Sequence, residues 1–353
     1  MHSGMHGGHA CDGDRIRTTL SVKDRSVAGL VNDMGRMGFQ GGQLGESLGI
    51  WKRMLEEETT VFMGLAGAMV PAGMGEIIAY MISHRMIDCL VSTGANLFHD
   101  LCEGLGIVHY KGSACADDAY LNECKIDRIY DVFVSEVELH KADNYISDLV
   151  KKLDQDRKYS SREIVALLGK GLPETTILGA AAKAKVPIFV PALGDSSIGI
   201  GMVMAYREGY RVVVDQIKDV DEITAMVEES KQTGVIYVGG GVPKNFIQQT
   251  EVIAELVGKY SGGHSYAIQY TSDVPHFGGL SGCTFSEAVS WGKVRKEARM
   301  VQVFSDATVS FPIVAQALKE IDPERPSIPA FDWTEAGLKL SYEKRRAGNP
   351  ACS

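Results

Sequence analysis

One short segment of the chain holds three side chains that could carry out chemistry together. Residues 281–293 read Ser-Gly-Cys-Thr-Phe-Ser-Glu-Ala-Val-Ser-Trp-Gly-Lys. Ser286 is a favourable helix N-cap and an acidic residue suits a first helical turn, so the segment predicts a short helix capped by Ser286. In that helix the carboxylate of Glu287 and the indole of Trp291 share a face.

Lys293 follows this helix, and Gly292 decides where its amine can go. In an unbroken helix Lys293 would point away from Trp291, because two residues rotate a side chain by roughly 200°. A glycine can end the helix in a left-handed conformation and return the lysine to the indole. An amine beside an apolar wall is partly desolvated, which lowers its pKa and frees the neutral amine to attack an imine or a carbonyl carbon. Glu287 could then hold a cationic substrate amine.

The same three residues also have an ordinary structural interpretation. In a chain of 353 residues, a glutamate and a lysine often form a surface ion pair, and a tryptophan often fills part of the core. Residue types and spacing in this segment leave both interpretations open.

A wider set of motifs resembles the deoxyhypusine synthase family. The segment from Glu287 to Lys293 is similar to the active-site region of these enzymes, and the other motifs follow in the family's order and spacing. The resemblance covers residues 37–318 and implies a transferase. The other motifs are 62–64 (Phe-Met-Gly), 86–93 (Met-Ile-Asp-Cys-Leu-Val-Ser-Thr), 186–193 (Val-Pro-Ile-Phe-Val-Pro-Ala-Leu), 239–244 (Gly-Gly-Gly-Val-Pro-Lys), 301–307 (Val-Gln-Val-Phe-Ser-Asp-Ala) and 311–312 (Phe-Pro).

Length and composition indicate a soluble globular protein with a sizeable core. At 353 residues, 45% of them hydrophobic and 23% charged, the chain is long enough for one large α/β domain or two smaller ones. Its longest apolar run, residues 62–75, is too short to cross a bilayer and contains Pro71. The N-terminus lacks the basic and apolar regions of a secretory signal, so we expect a cytoplasmic protein without a membrane partner.

Charge and cysteine usage narrow the possible partners. A formal net charge of -9 disfavours nucleic acid, because phosphate binding requires a basic surface, and is compatible with a polyamine substrate. The seven cysteines are an odd number without a Cys-x-x-Cys pair, which argues against a disulfide framework and a thiolate zinc site. His2, His6 and His9 with Cys11 could bind a transition metal, but a flexible histidine-rich tail explains them better, because no fixed backbone holds the ligands in place, and we predict no metal.

The chain divides into three predicted parts. Residues 1–25 form a His- and Gly-rich N-terminal arm that we expect to be disordered, because it has almost no apolar side chains for a core. Residues 26–322 form a single α/β domain. Residues 323–353 form a Pro-rich, polar C-terminal extension whose charged stretch, 343–346, we expect to be solvated.

Within the α/β domain, two helices precede a repeating pattern of strand, turn and helix. Residues 26–37 and 42–58 place apolar side chains at helical spacing and predict an N-terminal helical arm. The alternation that follows predicts a doubly wound, Rossmann-like parallel sheet with helices on both faces. The predicted strands are 59–64, 86–93, 186–191, 210–214, 235–238 and 301–305, and the predicted helices are 74–83, one from residue 97, 145–153, 161–168, 220–232, 244–256 and 308–318.

Glycine-rich turns after these strands indicate a dinucleotide site. No strict G-x-G-x-x-G follows a strand and no Walker A sequence occurs. Backbone amides of looser turns could cradle a pyrophosphate, although each turn alone is also a common strand-to-helix connection. The resemblance implies NAD, with Ala68, Pro71 and His99 as departures from the family at this site. The positions that match the family's NAD-contacting segments are Thr93, Gly94, Ala95, Asp195, Ser197, Gly240, Gly241, Asp306 and Ala307.

The resemblance also implies a reaction. In this family NAD takes hydride from the carbon beside the secondary amine of spermidine, and propane-1,3-diamine leaves. A lysine captures the aminobutyl group as an imine, an acceptor amine receives it, and NADH reduces the product. By position, Lys293 is the nucleophile, Glu287 and Trp291 are retained catalytic and substrate-gripping residues, and Ser281 and Asn245 belong to the substrate site.

Four substrate positions depart from the family. Ile200 and Leu280 stand where the family has amine-binding aspartates, Asn245 replaces a proton-relaying histidine, and Gln269 replaces a tyrosine. Loss of an ion pair in a desolvated site costs on the order of 1–3 kcal/mol, so spermidine held at both ends is a poorer fit here.

These observations predict an NAD-dependent aminobutyl transferase whose donor or acceptor has changed. The donor would be spermidine or a related polyamine. The acceptor would be a lysine of the hypusine-containing translation factor or, as in homospermidine synthases, a small amine. A non-catalytic regulatory paralogue is the alternative. The family forms homotetramers, so we expect an oligomer of that kind.

Overall fold

Strands and helices alternate through the described part of the chain. The computed structural model describes residues 22–260, 262–334 and 337–344. No helix within these ranges has the length and apolar character needed to span a bilayer. The strands are β1 (Thr60–Leu65), β2 (Cys89–Ser92), β3 (Tyr110–Lys111), β4 (Ile126–Ile129), β5 (Val132–Ser135), β6 (Lys158–Tyr159), β7 (Ile188–Phe189), β8 (Val213–Val214), β9 (Thr233–Val238), β10 (His264–Thr271), β11 (Val294–Phe304), β12 (Ser327–Thr334) and β13 (Gly337–Lys344). The helices are α1 (Val27–Met34), α2 (Phe39–Glu56), α3 (Gly75–Ser83), α4 (Gly94–Gly104), α5 (Asp118–Glu123), α6 (Glu136–Lys151), α7 (Ser161–Leu168), α8 (Ile177–Ala184), α9 (Ser197–Arg207), α10 (Gln216–Glu229), α11 (Gly241–Leu256), α12 (Phe285–Ser290) and α13 (Ala307–Ile321).

A six-stranded parallel sheet lies at the centre, in the order β11-β10-β9-β1-β2-β7. Every neighbouring pair is parallel, which confirms the predicted fold class. On β1 the side chains of Val61, Met63 and Leu65 pack in one core, whereas Phe62 packs in a second core on the other face. Because both faces are covered, the strand needs apolar residues at every position.

One strand of the sheet was not predicted, and one predicted strand lies elsewhere. β10 is central, but its apolar run is interrupted by His264 and Gln269, both fully buried and both hydrogen-bonded. Residues 210–214, predicted as a strand of the main sheet, contribute only β8, which pairs with β6 in a separate two-stranded sheet. The prediction for 210–214 is therefore wrong.

The connection from β2 to β7 is a long insertion with its own small sheet. β3, β5 and β4 form a three-stranded antiparallel sheet, after which α6 and α7 follow. α7 begins and ends where the sequence predicts, with a complete capping box between Ser160 and Glu163. The predicted helix 145–153 is the second half of α6, which is extended towards the N-terminus by its Ser135 cap.

The N-terminal helical arm covers one end of the sheet. α1 packs on α13, and α2 packs on β10 and β11. The predicted apolar stripe of α2, Leu44, Leu48, Trp51 and Leu55, is buried. Most of the predicted disordered segment, residues 1–21, lies outside the described residues.

The C-terminal extension forms an antiparallel hairpin of β12 and β13. Arg325, which precedes the hairpin, is 2% exposed and pairs with the fully buried Asp88 beside β2. Glu343 and Lys344 are exposed, but they belong to β13 and pair with β12. The exposure of these two residues agrees with the prediction of a solvated stretch, but they lie in a strand rather than in a tail, because the hairpin extends to Lys344.

Candidate active site

Helix α12 begins earlier than the sequence predicts. Its N-cap is Thr284 rather than Ser286, and the Thr284 hydroxyl accepts a hydrogen bond from the Glu287 N–H at 3.1 Å. Phe285 sets this register, since it is 3% exposed and its N–H donates to Gln302 Oε1 on β11 at 3.2 Å. Burial of the aromatic ring therefore outweighs the intrinsic capping preference of the serine.

After α12 the chain turns back as predicted and brings a lysine to the indole. Gly292 has a φ of 68°, and its carbonyl accepts a hydrogen bond from the Tyr260 hydroxyl at 2.7 Å. The Nζ atom of Lys293 lies 5.4 Å from the ring centroid of Trp291. Trp291 is 63% exposed and Lys293 is half-buried, so the amine has an apolar wall on one side and access from solvent.

Lys293 opens into a small cavity that also contains a carboxylate. The cavity has a volume of about 260 Å³. Glu287 and Lys293 are the charged residues among those that line it. A single cationic group can therefore be held beside a potential nucleophile. The other lining residues are Pro275, Gly278, Gly279, Leu280, Cys283, Ala288 and Trp291.

A second lysine, Lys244, is buried behind the wall of this cavity and was not predicted as part of the site. It has 0% exposure, and its Nζ donates to the Cys283 carbonyl at 2.6 Å and to Gln269 Oε1 at 2.9 Å. Burial lowers the pKa of Lys244 to about 8, and the nearby charge of Lys293 acts in the same direction. One signal was available in the sequence, because a lysine in the first turn of a helix is disfavoured by the helix dipole.

Gln269 connects the cavity wall to the carboxyl edge of the sheet. Its Nε2 donates to the carbonyls of Gly239 and Ser281 at 2.9 and 2.7 Å. Its Oε1 accepts from Lys244 Nζ and from Gln302 Nε2, both at 2.9 Å. Because this buried amide has partners on both of its polar atoms, it fixes the position of Ser281 relative to the end of β9.

Ser281 packs directly against the glycine turn that follows β9. Its Oγ accepts a hydrogen bond from the Gly241 N–H at 3.0 Å. A Cβ atom on Gly240 would lie 2.5 Å from the Ser281 Cα, so this close approach requires glycine. Three of the predicted site residues, Gly240, Gly241 and Ser281, are thus brought together next to the Lys293 cavity.

Three helices at the carboxyl edge begin with an N-cap residue whose own side chain does not cap the helix. The N-cap residues of α4, α9 and α11 are Thr93, Ser196 and Gly240, and none of them accepts a side-chain capping hydrogen bond. By contrast, α6, α10 and α13 are each capped by a serine or aspartate side chain. Uncapped N-terminal amides at the positive end of a helix dipole are suited to binding an anion.

The first two of these helix starts lie side by side. A Cβ atom on Gly94 would lie 2.3 Å from Ser196 Oγ. The hydroxyl of Thr93 accepts from Asn96 Nδ2 at 3.0 Å, while Ala95 and Asp195 are exposed. The predicted cofactor residues that follow β2 and β7, which include Ser197 at the start of α9, therefore form one cluster.

Asp306 and Ala307 follow β11 at the same edge of the sheet. Asp306 Oδ1 accepts from the N–H and the hydroxyl of Thr308 at 2.7 and 2.5 Å, so this oxygen caps α13. Asp306 also lines a cavity of about 510 Å³, to which Ala68 and Pro71 contribute. The departures at Ala68 and Pro71 thus lie on a cavity wall shared with a predicted cofactor residue.

His99 reaches the cavity beside Asp306 through a second histidine. Its Nδ1 lies 2.9 Å from His109 Nε2, and His109 Nδ1 lies 3.2 Å from Glu103 Oε1. Burial, with the neighbouring His109, lowers the pKa of His99 to about 4, so its ring is neutral at pH 7. In the described ranges, no cluster of three or more His, Cys, Asp or Glu side chains is placed to hold a metal ion.

Two of the predicted substrate positions do not meet Lys293 within one chain. Asn245 lies on α11 and lines a separate cavity of about 310 Å³. Ile200 lies on α9, is 54% exposed, and follows β7 at the opposite end of the sheet from β11. Leu280, by contrast, lines both the Asn245 cavity and the Lys293 cavity.

Comparisons with known proteins agree on one family. The family model for deoxyhypusine synthase matches residues 29–318. A relative from Methanosarcina acetivorans, named "Probable deoxyhypusine synthase 2", is 58% identical over 92% of this chain and 96% of its own length. A relative of the same name from Archaeoglobus fulgidus is 52% identical over 85% of this chain and 99% of its own length.

A solved structure shows the same fold. The crystal structure from Entamoeba histolytica assigned to a deoxyhypusine synthase superposes with a TM-score of 0.59 at 18% identity, over 84% of this chain and 93% of that one. With the family match across most of the chain and two relatives above half identity, the chain belongs to the deoxyhypusine synthase family.

Proposed function

We propose that this protein is an NAD-dependent aminoalkyl transferase in which Lys293 carries the transferred group as an imine. The observation that carries the proposal is the position of the Lys293 amine, 5.4 Å from the Trp291 ring centroid, in a cavity shared with the Glu287 carboxylate. Membership of the family supports transferase chemistry. The proposed donor is spermidine or a related polyamine. The proposed acceptor is a lysine of the hypusine-containing translation factor or a small amine.

The residues at the carboxyl edge of the sheet fit a dinucleotide. The N-terminal amides of α4, α9 and α11 that no N-cap side chain engages would hold the pyrophosphate, with Gly240 and Gly241 at the start of α11. Asp195 is exposed at the same edge and would hold a polar part of the cofactor. When bound, NAD would supply the acceptor for the hydride that leaves the donor.

Three residues of the chain would act on the substrate. The Glu287 carboxylate would bind the cationic end of the donor. The indole of Trp291 would exclude water from one side of the reacting carbon, which protects an imine from hydrolysis. The neutral amine of Lys293 would replace the departing amine at that carbon, and the incoming acceptor would later replace Lys293 in the same way.

We also propose a homotetramer, as the resemblance implies, and a cytoplasmic location, as the N-terminal sequence suggests. Ile200, Val203 and Tyr206 lie on one side of α9 and are 54%, 52% and 54% exposed. An apolar stripe of this kind on a helix is suited to contact with another subunit. In such a contact Ile200 would pack against the neighbouring subunit, whereas in the single chain its side chain is exposed.

Trapping of the imine tests the proposal. The protein is incubated with NAD and a series of amines that includes spermidine and putrescine, reduced with borohydride, digested and examined by mass spectrometry. We expect an alkyl adduct on Lys293, together with release of the leaving amine.

Two lysine variants make the test specific. Lys293→Arg should give no adduct on the corresponding peptide, whereas Lys296→Arg, at an exposed position on the strand that follows Lys293, should leave the Lys293 adduct intact. NADH without an adduct would indicate a simple dehydrogenase. No turnover with any amine would favour the non-catalytic paralogue.

A further inference from the structure

A second cavity adjoins the Lys293 cavity and is lined by uncharged side chains. It has a volume of about 310 Å³ and lies where α10 packs against α11. This volume is at the small end of the range for ligand pockets, about 300–1,000 Å³, so it suits a short substituent. Its apolar wall is formed by Val220, Ile223, Val242, Phe246, Ile253 and Leu280.

Leu280 is a wall of both cavities. The next residue is held in place, because the Ser281 carbonyl accepts from Gln269 Nε2 at 2.7 Å and the Ser281 Oγ accepts from the Gly241 N–H at 3.0 Å. A substrate bonded to Lys293 and extended past Leu280 would therefore enter the second cavity next.

The two cavities differ in charge. The Lys293 cavity includes the carboxylate of Glu287. In the second cavity the polar lining residues are Asn245, Gln249 and Thr250, all of them neutral, and the Thr250 hydroxyl already donates to a backbone carbonyl at 2.6 Å. An ammonium group in this second cavity would lose water and gain no counter-charge, which is unfavourable, whereas an alkyl group would gain from burial.

We infer that the amine exchanged at Lys293 carries an uncharged arm, which occupies the cavity between α10 and α11. The inference rests on the proposed function and names the substrate class for it. The leaving amine and the acceptor amine bond to the same carbon in turn, so they use the same space. The proposed donor is thus a secondary amine with two different arms. One is an aminoalkyl arm bound at Glu287, and the other is an alkyl arm.

The bonds and protons of the exchange balance. The donor carbon–nitrogen bond is first oxidised to an imine, with loss of a hydride from carbon to NAD and of a proton from nitrogen. The Lys293 amine then adds to the imine carbon and the original amine leaves. Both protons of the neutral Lys293 amine end on the leaving amine, and the carbon–nitrogen double bond now joins the carbon to Nζ.

Two donors of nearly equal shape test the inference. Spermidine and N-butyl-1,4-diaminobutane share the 4-aminobutyl arm, and they differ in a terminal ammonium or methyl group on the other arm. Both give the same 4-aminobutyl adduct on Lys293 after reduction with borohydride. We expect the initial rate of adduct formation with NAD to be at least about tenfold higher for the N-butyl compound.

Equal rates, or a faster rate with spermidine, would overturn the inference and leave the proposed function standing. No adduct from either compound would overturn both. A matched pair of variants gives a second measurement. Leu280→Asp places a carboxylate in the shared wall and should reverse the preference towards spermidine, whereas Leu280→Asn, of the same size without charge, should keep the preference for the N-butyl compound. The same preference in both variants would count against the inference.

Discussion

The two edges of the central sheet differ in how their polar groups are paired. At the amino edge, Asp88 is fully buried and accepts hydrogen bonds from Arg325 at 2.5 and 3.0 Å, from Arg85 at 3.0 Å and from the Val61 N–H at 2.9 Å. At the carboxyl edge, three helices begin with an N-cap residue whose side chain makes no capping hydrogen bond. The Asp88 carboxylate at the amino edge has its partners within the chain, whereas the carboxyl edge leaves helix N-terminal amides for a ligand.

The comparison shows that a buried charge does not by itself mark a functional site. Asp88 is more deeply buried than Glu287 or Lys293, yet its partners all come from the chain, and its role is to join the C-terminal hairpin to the sheet. Polar groups that lack a partner in the chain, at the mouths of cavities, indicate where a ligand can add to stability or take part in a reaction. Lys244 is intermediate between these two cases. It is buried and paired, as Asp88 is, but it lies behind the wall of a cavity.

The largest expected effect is on the amino edge. Arg325→Met removes the main partner of Asp88 and leaves a buried carboxylate with Arg85 as its one remaining cationic partner among the described residues, which should lower the free energy of unfolding by about 3–5 kcal/mol. Urea unfolding measures this loss. Because the site lies at the other edge, the yield of Lys293 adduct per folded molecule should not change.

The control for this variant is an exposed pair near the same hairpin. Lys231 and Glu58 form a salt bridge with side chains that are 56% and 44% exposed, and Lys231→Met should cost less than about 1 kcal/mol. If Arg325→Met were no more destabilising than Lys231→Met, the amino edge would not depend on its buried pair.

The local features of the site could be predicted from the sequence, and the long-range ones could not. The left-handed turn at Gly292 and the contact of Lys293 with Trp291 depend on neighbouring residues, so residue types and spacing were enough. The bonds from Lys244 to Gln269 and Cys283 join α11 to β10 and to the loop before α12. No local pattern encodes such a contact.

The same limit applies to the fold. Continuous apolar runs predicted most strands of the sheet, but β10 includes buried polar residues whose partners come from other elements. His264 Nδ1 lies 2.8 Å from the Thr233 hydroxyl on β9, and Gln269 bonds to the end of the same strand. Polar residues of this kind lower the apolar periodicity of a strand, although in the folded protein they are buried and hydrogen-bonded to other elements.

The second largest expected effect is on the pH dependence of the unfolding free energy, through titration of Lys244. It sharpens the comparison between the two edges of the sheet. The pKa of Lys244 is lowered from 10.5 to about 8, so between these values the unfolded state binds more protons than the folded state. Its contribution to stability therefore rises with pH through this window. Relative to Lys244→Met, the free energy of unfolding of the wild type should rise by about 2–3 kcal/mol between pH 7 and pH 10.5.

The variant should remain folded at pH 7, because no acceptor loses its last partner. Gln302 Nε2 still donates to Gln269 Oε1 at 2.9 Å and to the Cys283 carbonyl at 3.2 Å. Lys296 is at an exposed position, so the unfolding free energy of Lys296→Met should change with pH in parallel with that of the wild type across the same range. Parallel curves for Lys244→Met and the wild type would show that Lys244 does not titrate in this window.

Two neighbouring glycines provide the smallest and most selective test of the carboxyl edge. Gly241 has a φ of 56° and open space at its Cβ position, so Gly241→Ala should cost about 1 kcal/mol of backbone strain and leave Ser281 in place. Gly240 lies outside the left-handed region, with a φ of −176°, but its Cβ would lie 2.5 Å from the Ser281 Cα. Gly240→Ala should therefore displace Ser281 and Leu280. The two variants should lose a similar amount of unfolding free energy, but the rate of Lys293 adduct formation should fall about tenfold further in Gly240→Ala than in Gly241→Ala. Equal rates in the two variants would mean that the contact between Ser281 and the glycine turn does not position the site.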